Sequence, residues 1–486
     1  MELGKRYASK RVEQNKNKQL ITKPKIVILL PDGIGLRNFA YSEFHTIGEK
    51  ENFDLVFWNN TPFDLTTLGF TEIKIGNSKS HPLTETYKNA RKQIELNLNI
   101  RRTKDRVYDT YRFPFSYNTV KKAFKSSVTQ LMTFTHSSQY GLTRIRTKIK
   151  HKERKTLYYH QCLETLQKER PAFVFCTNQR PMTAIAPLLA AEELGIPTAT
   201  FIFSWDNLPK ATMVVETDYY FVWSDLMKKE LLFYYPYLKE ERVFVTGTPQ
   251  FESHFDKAKI LSKEDFCKQY HLDLNKRYIC YSGDDVTTCP DDPKYLEDVA
   301  IAVRELNQKG YVLGIVFRRC PVDFSTRYDK VLEDYKDVIT PIVPLWERIG
   351  KGWNTILPTP DDIALQNATI EHTEMVVNLG SSMVFDYVAH HKPCAFINYD
   401  VDQKIITDWS VKKIYQYVHF RSMPNKEAVL WINSPNEISA IIEKGITTPS
   451  SIIENAQKWF EVINQQPPQE ASQRIWKAIK TIISKE

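Results

Sequence analysis

The stretch Met375–Asp400, MVVNLGSSMVFDYVAHHKPCAFINYD, sets the tightest limit on what this chain can become. Its opening apolar run, Met375 to Leu379, is too short for a helix and right for a buried strand. Gly380-Ser381-Ser382 breaks the run, and an apolar-rich segment from Met383 to Ala389 follows. Lys392-Pro393 stops that segment before a second strand at Cys394–Tyr399. Strand, small-residue turn, helix and strand make a βαβ unit, whose turn lies at the carboxyl edge of a parallel sheet. Free N–H groups at the helix start favour an anion there, typically a phosphate. Asp386 lies one turn beyond Ser382, where it can accept hydrogen bonds from a sugar or ribose hydroxyl. An ordinary βαβ connection without a ligand has the same pattern, so the rest of the chain must separate the two.

The pattern recurs. Ile26–Leu30 reads as a buried strand running into Pro31-Asp32-Gly33-Ile34-Gly35, which is not a GxGxxG fingerprint but lets a ligand approach the backbone. Asp32 there can cap a helix or do chemistry. Strands are predicted at Asp54–Trp58, Ala172–Thr177, Thr198–Phe203, Tyr219–Trp223 and Arg242–Thr246, with a helix over about 182–194. Gly247-Thr248-Pro249 closes this first unit. A second unit has strands at Arg277–Ser282, Tyr311–Phe317, Thr355–Leu357 and the two in Met375–Asp400, with a helix over about 295–309. The expectation is an α/β fold of two successive domains of similar size, with chemistry-bearing loops at the carboxyl edges of both sheets. The domains are expected at 1–262 and 263–450. The segment 451–486 ends in an amphipathic helix, with Ile475, Trp476, Ile479, Ile482 and Ile483 on one stripe that needs a surface to dock on, by preference the chain's own body.

At 486 residues the chain exceeds a single core, and 42% hydrophobic with 26% charged residues is a globular composition. No run approaches the roughly 18 apolar residues of a membrane span. Residues 1–25 lack the apolar region of a secretory signal, and seven scattered cysteines without a CxxC pair argue for free thiols in a cytoplasmic setting. The net charge of +8 is uneven: between Arg101 and Lys155, fifteen Lys or Arg stand against three acids, a local balance of +12. This basic insertion, and within it Arg144, Arg146, Lys148 and Lys150, reads as a solvated surface or one for an anionic membrane or acceptor. No nucleic-acid module accompanies it.

Three features of the second unit converge on one ligand. Ser282-Gly283 follows its first strand, Arg318-Arg319 a later one, and Gly380-Ser381-Ser382 opens a helix. Small turns offering N–H groups, plus a guanidinium that bonds two oxygens at once, suit a diphosphate. Asp400-Val401-Asp402 is a D-x-D too short to specify a metal, and reads as a loop.

The blocks Phe203-Ser204-Trp205-Asp206-Asn207-Leu208, Trp223-Ser224 and Val243–Phe251 resemble those of GT-B glycosyltransferase-like proteins of bacterial surface-carbohydrate synthesis. That superfamily also holds sugar-nucleotide epimerases and CDP-glycerol-type polyol phosphotransferases. Arg318-Arg319-Cys320-Pro321 sits where many relatives carry R-x-H-P, with Cys320 replacing the histidine. Asp386 stands where relatives often have Glu. The resemblance implies a nucleotide-diphosphate sugar as donor, bound by Ser282, Gly283, Arg318, Arg319, Gly380, Ser381, Ser382 and Asp386, with no cofactor and no required metal. It implies two Rossmann-like domains facing a central cleft, the segment 451–486 packing back on the first, and a glycan or lipid-linked acceptor on the first-domain side. Asp32 and Asp206, at carboxyl edges of first-domain strands, are the candidate bases, though Asp206 could equally hold a turn through its side chain, and His136 and His254 are lesser candidates. A polyol-phosphate transferase, an epimerase or a non-catalytic scaffold are the alternatives.

Overall fold

The computed structural model describes residues 23–349 and 355–485. The reading of residues 1–25 as lacking a secretory signal falls almost wholly outside them. Two parallel sheets organise the chain. The first is β3-β2-β1-β4-β5-β6-β7, from β1 (Lys25–Leu30), β2 (Asp54–Asn59), β3 (Glu72–Lys74), β4 (Phe173–Cys176), β5 (Thr198–Phe201), β6 (Tyr219–Val222) and β7 (Val243–Val245). The second is β10-β9-β8-β13-β14-β15. It contains β8 (Arg277–Ser282), β9 (Leu313–Arg318), β10 (Ile339–Pro341), β13 (Val376–Asn378), β14 (Cys394–Ile397) and β15 (Leu430–Ile432). Both are doubly wound, and strand order reverses between β1 and β4 and between β8 and β13. A crevice opens at such a reversal, outside the carboxyl ends of the strands.

The strands form where they do because helices cover both faces of each sheet. β1, β4 and β9 are buried almost throughout, so they read as unbroken apolar runs. One expected strand behaves differently. The segment read as Thr355–Leu357 is β12 (Ile356–Pro358), and it pairs antiparallel with β11 (Trp346–Arg348) outside the second sheet. Three residues are too few for sequence to specify a partner.

The basic insertion is helical: Val120–Thr135 and Gln139–Glu153 pack on the helix Thr84–Thr103. Leu142, Ile145 and Ile149 share one face of Gln139–Glu153 and join Val27, Leu29, Ile94 and Val174 in a common core.

The helix Ala471–Ile483 returns to the first sheet's surroundings. Its Trp476 ring stacks on Phe44 at 4.6 Å and Phe53 at 5.3 Å, and its indole N–H donates to the Phe44 carbonyl at 2.7 Å. Gly48 permits this, because a Cβ there would lie 2.4 Å from the indole. Trp476→Ala is expected to cost about 3–5 kcal/mol, read as a lower urea midpoint. A midpoint unchanged from wild type would show that the helix does not secure the first domain.

Candidate active site in the cleft between the sheets

The two carboxyl edges meet at a cavity of about 1320 Å³, lined from the first domain by Asp32, Arg180 and Asp206 and from the second by Asp284, Gly380 and Ser381. Trp205, from the turn after β5, helps hold the halves together. Its ring lies edge-on to Phe385 at 5.1 Å, His419 at 4.6 Å, Phe420 at 5.9 Å and Trp459 at 5.8 Å. Edge-to-face pairs add to the apolar burial.

A second cavity, about 220 Å³, adjoins the cleft and shares Asp284 and Ser381 with it. Ser282, Gly283, Arg318, Arg319, Ser381, Ser382 and Asp386 all line it, so most of the residues read as donor-binding converge. Gly380 faces the larger cleft. Its φ of +63° is left-handed, and a Cβ would crowd Phe420 at 3.0 Å. The following helix has seven residues, Met383–Ala389. The Ser381 N–H already donates to Asn378 Oδ1 at 2.9 Å, and Ser381 Oγ accepts from the Met383 N–H at 3.3 Å.

Several of these groups have other work. Gly283 donates its N–H to the Arg318 carbonyl at 2.9 Å. Arg318 is buried, and its Nη2 donates to both oxygens of Asp362 at 2.7 and 2.8 Å. Asp362 also accepts from the Leu345 N–H and the Trp346 indole. Nη1 of Arg318 is buried without a hydrogen bond among the described residues. Arg319 donates to the Ser325 carbonyl at 3.1 Å and lies 5.2 Å from the Tyr328 ring centre. Asp386 is buried and takes His254 Nε2 on Oδ1 at 2.8 Å. His254 Nδ1 meets His390 Nε2 at 3.1 Å, and His390 Nδ1 meets Glu371 at 2.7 Å. Burial pushes the Asp386 carboxyl up, but the His254 hydrogen bond and charge, then Arg37, outweigh it and hold it below the usual range.

Arg37 is a residue that sequence reasoning passed over. It sits in the helical turn Leu36–Ala40 after β1, lines the smaller cavity, and places Nη2 4.0 Å from Asp386. Its Nε and Nη2 are buried without hydrogen bonds. The signal was available as a cation just past the glycine turn of Pro31–Asn38, but nothing local aims it across the domain boundary.

The two candidate bases differ sharply. Asp32 is buried, accepting from Asn178 Nδ2 at 2.9 Å and from the Ile34 N–H at 3.2 Å. Burial raises its carboxyl above the ordinary range against those bonds and Arg180. Asp206 is drawn the other way. Burial pushes it up, yet Lys210, His419 and the Ser204 hydroxyl, which donates at 2.7 Å, leave it well below the usual range. Of the lesser candidates, His254 belongs to the Asp386 chain, while His136 caps the end of Val120–Thr135 and touches Thr135. Asp400 accepts from Ser410 Oγ and the Val411 N–H, each at 2.8 Å, so it orders its own loop.

The basic insertion is partly compensated by acids from elsewhere in the chain. Arg146 pairs with Glu95 at 2.8 Å and Glu216 at 3.3 Å, and Lys150 with Glu192 at 3.3 Å. Arg144 is exposed and Lys148 half-buried. The outward face of Val120–Thr135 is apolar instead: Val120, Phe124, Leu131 and Phe134 are 89%, 69%, 63% and 85% exposed, with Lys121 and Lys122 beside them.

The architecture is GT-B. A structure of S. aureus MnaA with UDP matches at TM-score 0.51 and 14% identity, covering 95% of this chain and 97% of that one. A protein described as a UDP-N-acetylglucosamine 2-epimerase from Listeria monocytogenes matches at 0.52 and 12%, over 96% and 98%. A glycosyltransferase from Rickettsia africae matches at 0.50 and 12%, over 94% and 99%. No protein-family model and no curated protein matches the chain. Identities this low establish the shared fold. Among the described residues no helix is long and apolar enough to cross a membrane.

Arg318→Ala would strand Asp362 as a buried carboxylate. The expected loss is about 3–5 kcal/mol in stability, measured by chemical unfolding without any nucleotide. An Arg318→Ala protein as stable as wild type would free the guanidinium for a role in ligand binding alone.

Proposed function

We propose that the protein moves a sugar from a nucleotide-diphosphate donor to a hydroxyl of a surface glycan or glycolipid. The observation that carries this reading is the position of Asp32 and the Gly380–Ser382 turn, from different domains, on one cleft. At about 1320 Å³ it exceeds the roughly 300–1,000 Å³ of a site for one small ligand. In this reading the donor diphosphate lies by Ser381 and Ser382 in the smaller cavity, with Arg37 and Arg319 as its cations. Asp386 accepts from a ribose or sugar hydroxyl through the oxygen that His254 does not use.

Asp32 is the base. A carboxylate raised by burial is better matched to neutral pH than one held low by a lysine, and Asp206 therefore serves to order the turn that carries Trp205. Asp32 takes the acceptor proton as that oxygen bonds to the anomeric carbon. The carbon–oxygen bond to the diphosphate breaks, its electron pair leaves with the diphosphate, and the guanidinium groups stabilise the developing charge.

The acceptor is presented at an anionic bilayer surface. Support comes from the apolar stripe Val120, Phe124, Leu131 and Phe134 with its adjoining lysines, since such a face enters the headgroup region while cations meet acidic lipid.

A thermal-shift screen with UDP, GDP, CDP and dTDP sugars is expected to raise the melting temperature for one nucleotide family. A flat response to all overturns the reading, and donor conversion without any acceptor would identify an epimerase instead. Asp32→Asn should lower turnover about 10²–10⁴-fold with nucleotide binding kept, and full activity would remove it as base. Because a base works deprotonated and Asp32 is raised, wild-type activity should fall on acidification at a pH above the ordinary carboxylate value of about 4. Phe124→Glu/Phe134→Glu should lose co-sedimentation with vesicles of phosphatidylcholine and phosphatidylglycerol. Equal pelleting would mean the stripe does not touch lipid.

A further inference from the structure

Among the described residues, Lys88, Lys92 and Arg180 on the first-domain wall of the cleft close no ion pair with an acid. Lys88 and Lys92 lie four residues apart on one face of Thr84–Thr103, and Arg180 follows β4. All three line the cleft together with Asp32. Several neighbours are matched: Arg91 pairs with Glu95 at 2.7 Å, Lys125 with Glu85, and Lys210 with Asp206. Lys92 Nζ rests 4.1 Å from the Phe113 ring centre, and the Arg180 guanidinium 5.1 Å from that of Phe203. These aromatic faces position the cations without neutralising them. Like charges four apart destabilise a helix, and here they are also partly withdrawn from water. Burial first, then Arg91 and Arg180, push both ammonium groups down to about 8. An anion between them would relieve all of this at once.

We propose that Lys88, Lys92 and Arg180 bind a phosphate or phosphodiester group of the acceptor, holding it beside Asp32. Arg180 and both lysines line the same cleft as Asp32, so the bound anion sits on the side of the cleft that carries the base. The hydroxyl presented to Asp32 then belongs to the same unit as the phosphate or to its neighbour. This rests on the transferase reading and gives the acceptor a chemical class. The phosphate comes from a lipid headgroup or from a phosphate-containing glycan.

The test is calorimetry of the full chain with inorganic tripolyphosphate at low salt. Lys88→Gln/Lys92→Gln is expected to weaken binding tenfold or more, and the remote control Lys330→Gln/Lys336→Gln to leave it unchanged. Arg37→Gln should abolish the nucleotide thermal shift yet keep tripolyphosphate binding, which separates this wall from the donor cavity. Tripolyphosphate bound by Lys88→Gln/Lys92→Gln as by wild type overturns the proposal. The paired substitution relieves repulsion, so its melting temperature should not fall. If it fails to fold, Arg180→Gln carries the same comparison. Two further arms, a soluble glycerol phosphate oligomer and vesicles containing phosphatidic acid, assign the source by which of them shows the lysine dependence. A nucleotide shift that persists while no arm depends on the lysines would sink this inference and leave the transferase reading standing.

Discussion

Trp205 is the contact on which the site depends. It leaves the first sheet's carboxyl edge and packs among Phe385, His419, Phe420 and Trp459, of which Phe385 lies in the helix behind the Gly380–Ser382 turn. The same helix supplies Asp386, which takes His254 and stands 4.0 Å from Arg37. One short helix is thus tied to the other half of the molecule by ring packing on one side and by a buried carboxylate on the other. Aromatic contacts set the separation of the two edges. The carboxylate sets orientation, because a buried charge tolerates little loss of its partners.

Charge is distributed by the fold in a way that composition conceals. The insertion between Arg101 and Lys155 carries the largest formal excess, yet Glu95, Glu192 and Glu216 reach it from distant segments and pair with Arg146 and Lys150. Lys88, Lys92 and Arg180, for which no ion pair closes among the described residues, lie in the cleft. A positive potential inside a concave, partly desolvated site is felt more strongly than the same charge spread over an open surface.

Particular elements show how far local pattern reaches. The long buried strands, β1, β4, β8 and β9, are legible because strands covered on both faces are continuous apolar runs. β3, β10 and β15 are three-residue edge strands that the apolar pattern did not mark, whereas β7, equally short and also at an edge, lies within the predicted run Arg242–Thr246. Arg318 reads equally well as a phosphate clamp or as half of a buried pair, and only the approach of Asp362 from 44 positions away distinguishes them. His254 reads as a lone histidine because its partners, Asp386 and His390, lie 132 and 136 residues further on.

The sequence by itself determined two successive α/β units and the glycine and serine turns at their carboxyl edges. These follow from apolar periodicity and turn chemistry, which act over a few residues. Tertiary structure alone decided that Arg37 crosses to the second domain's turn, that Asp32 is raised while Asp206 is held low, and that Lys88, Lys92 and Arg180 share one cleft with Asp32. Ionisation and pairing depend on burial and on neighbours brought from far along the chain, and a one-dimensional pattern carries neither.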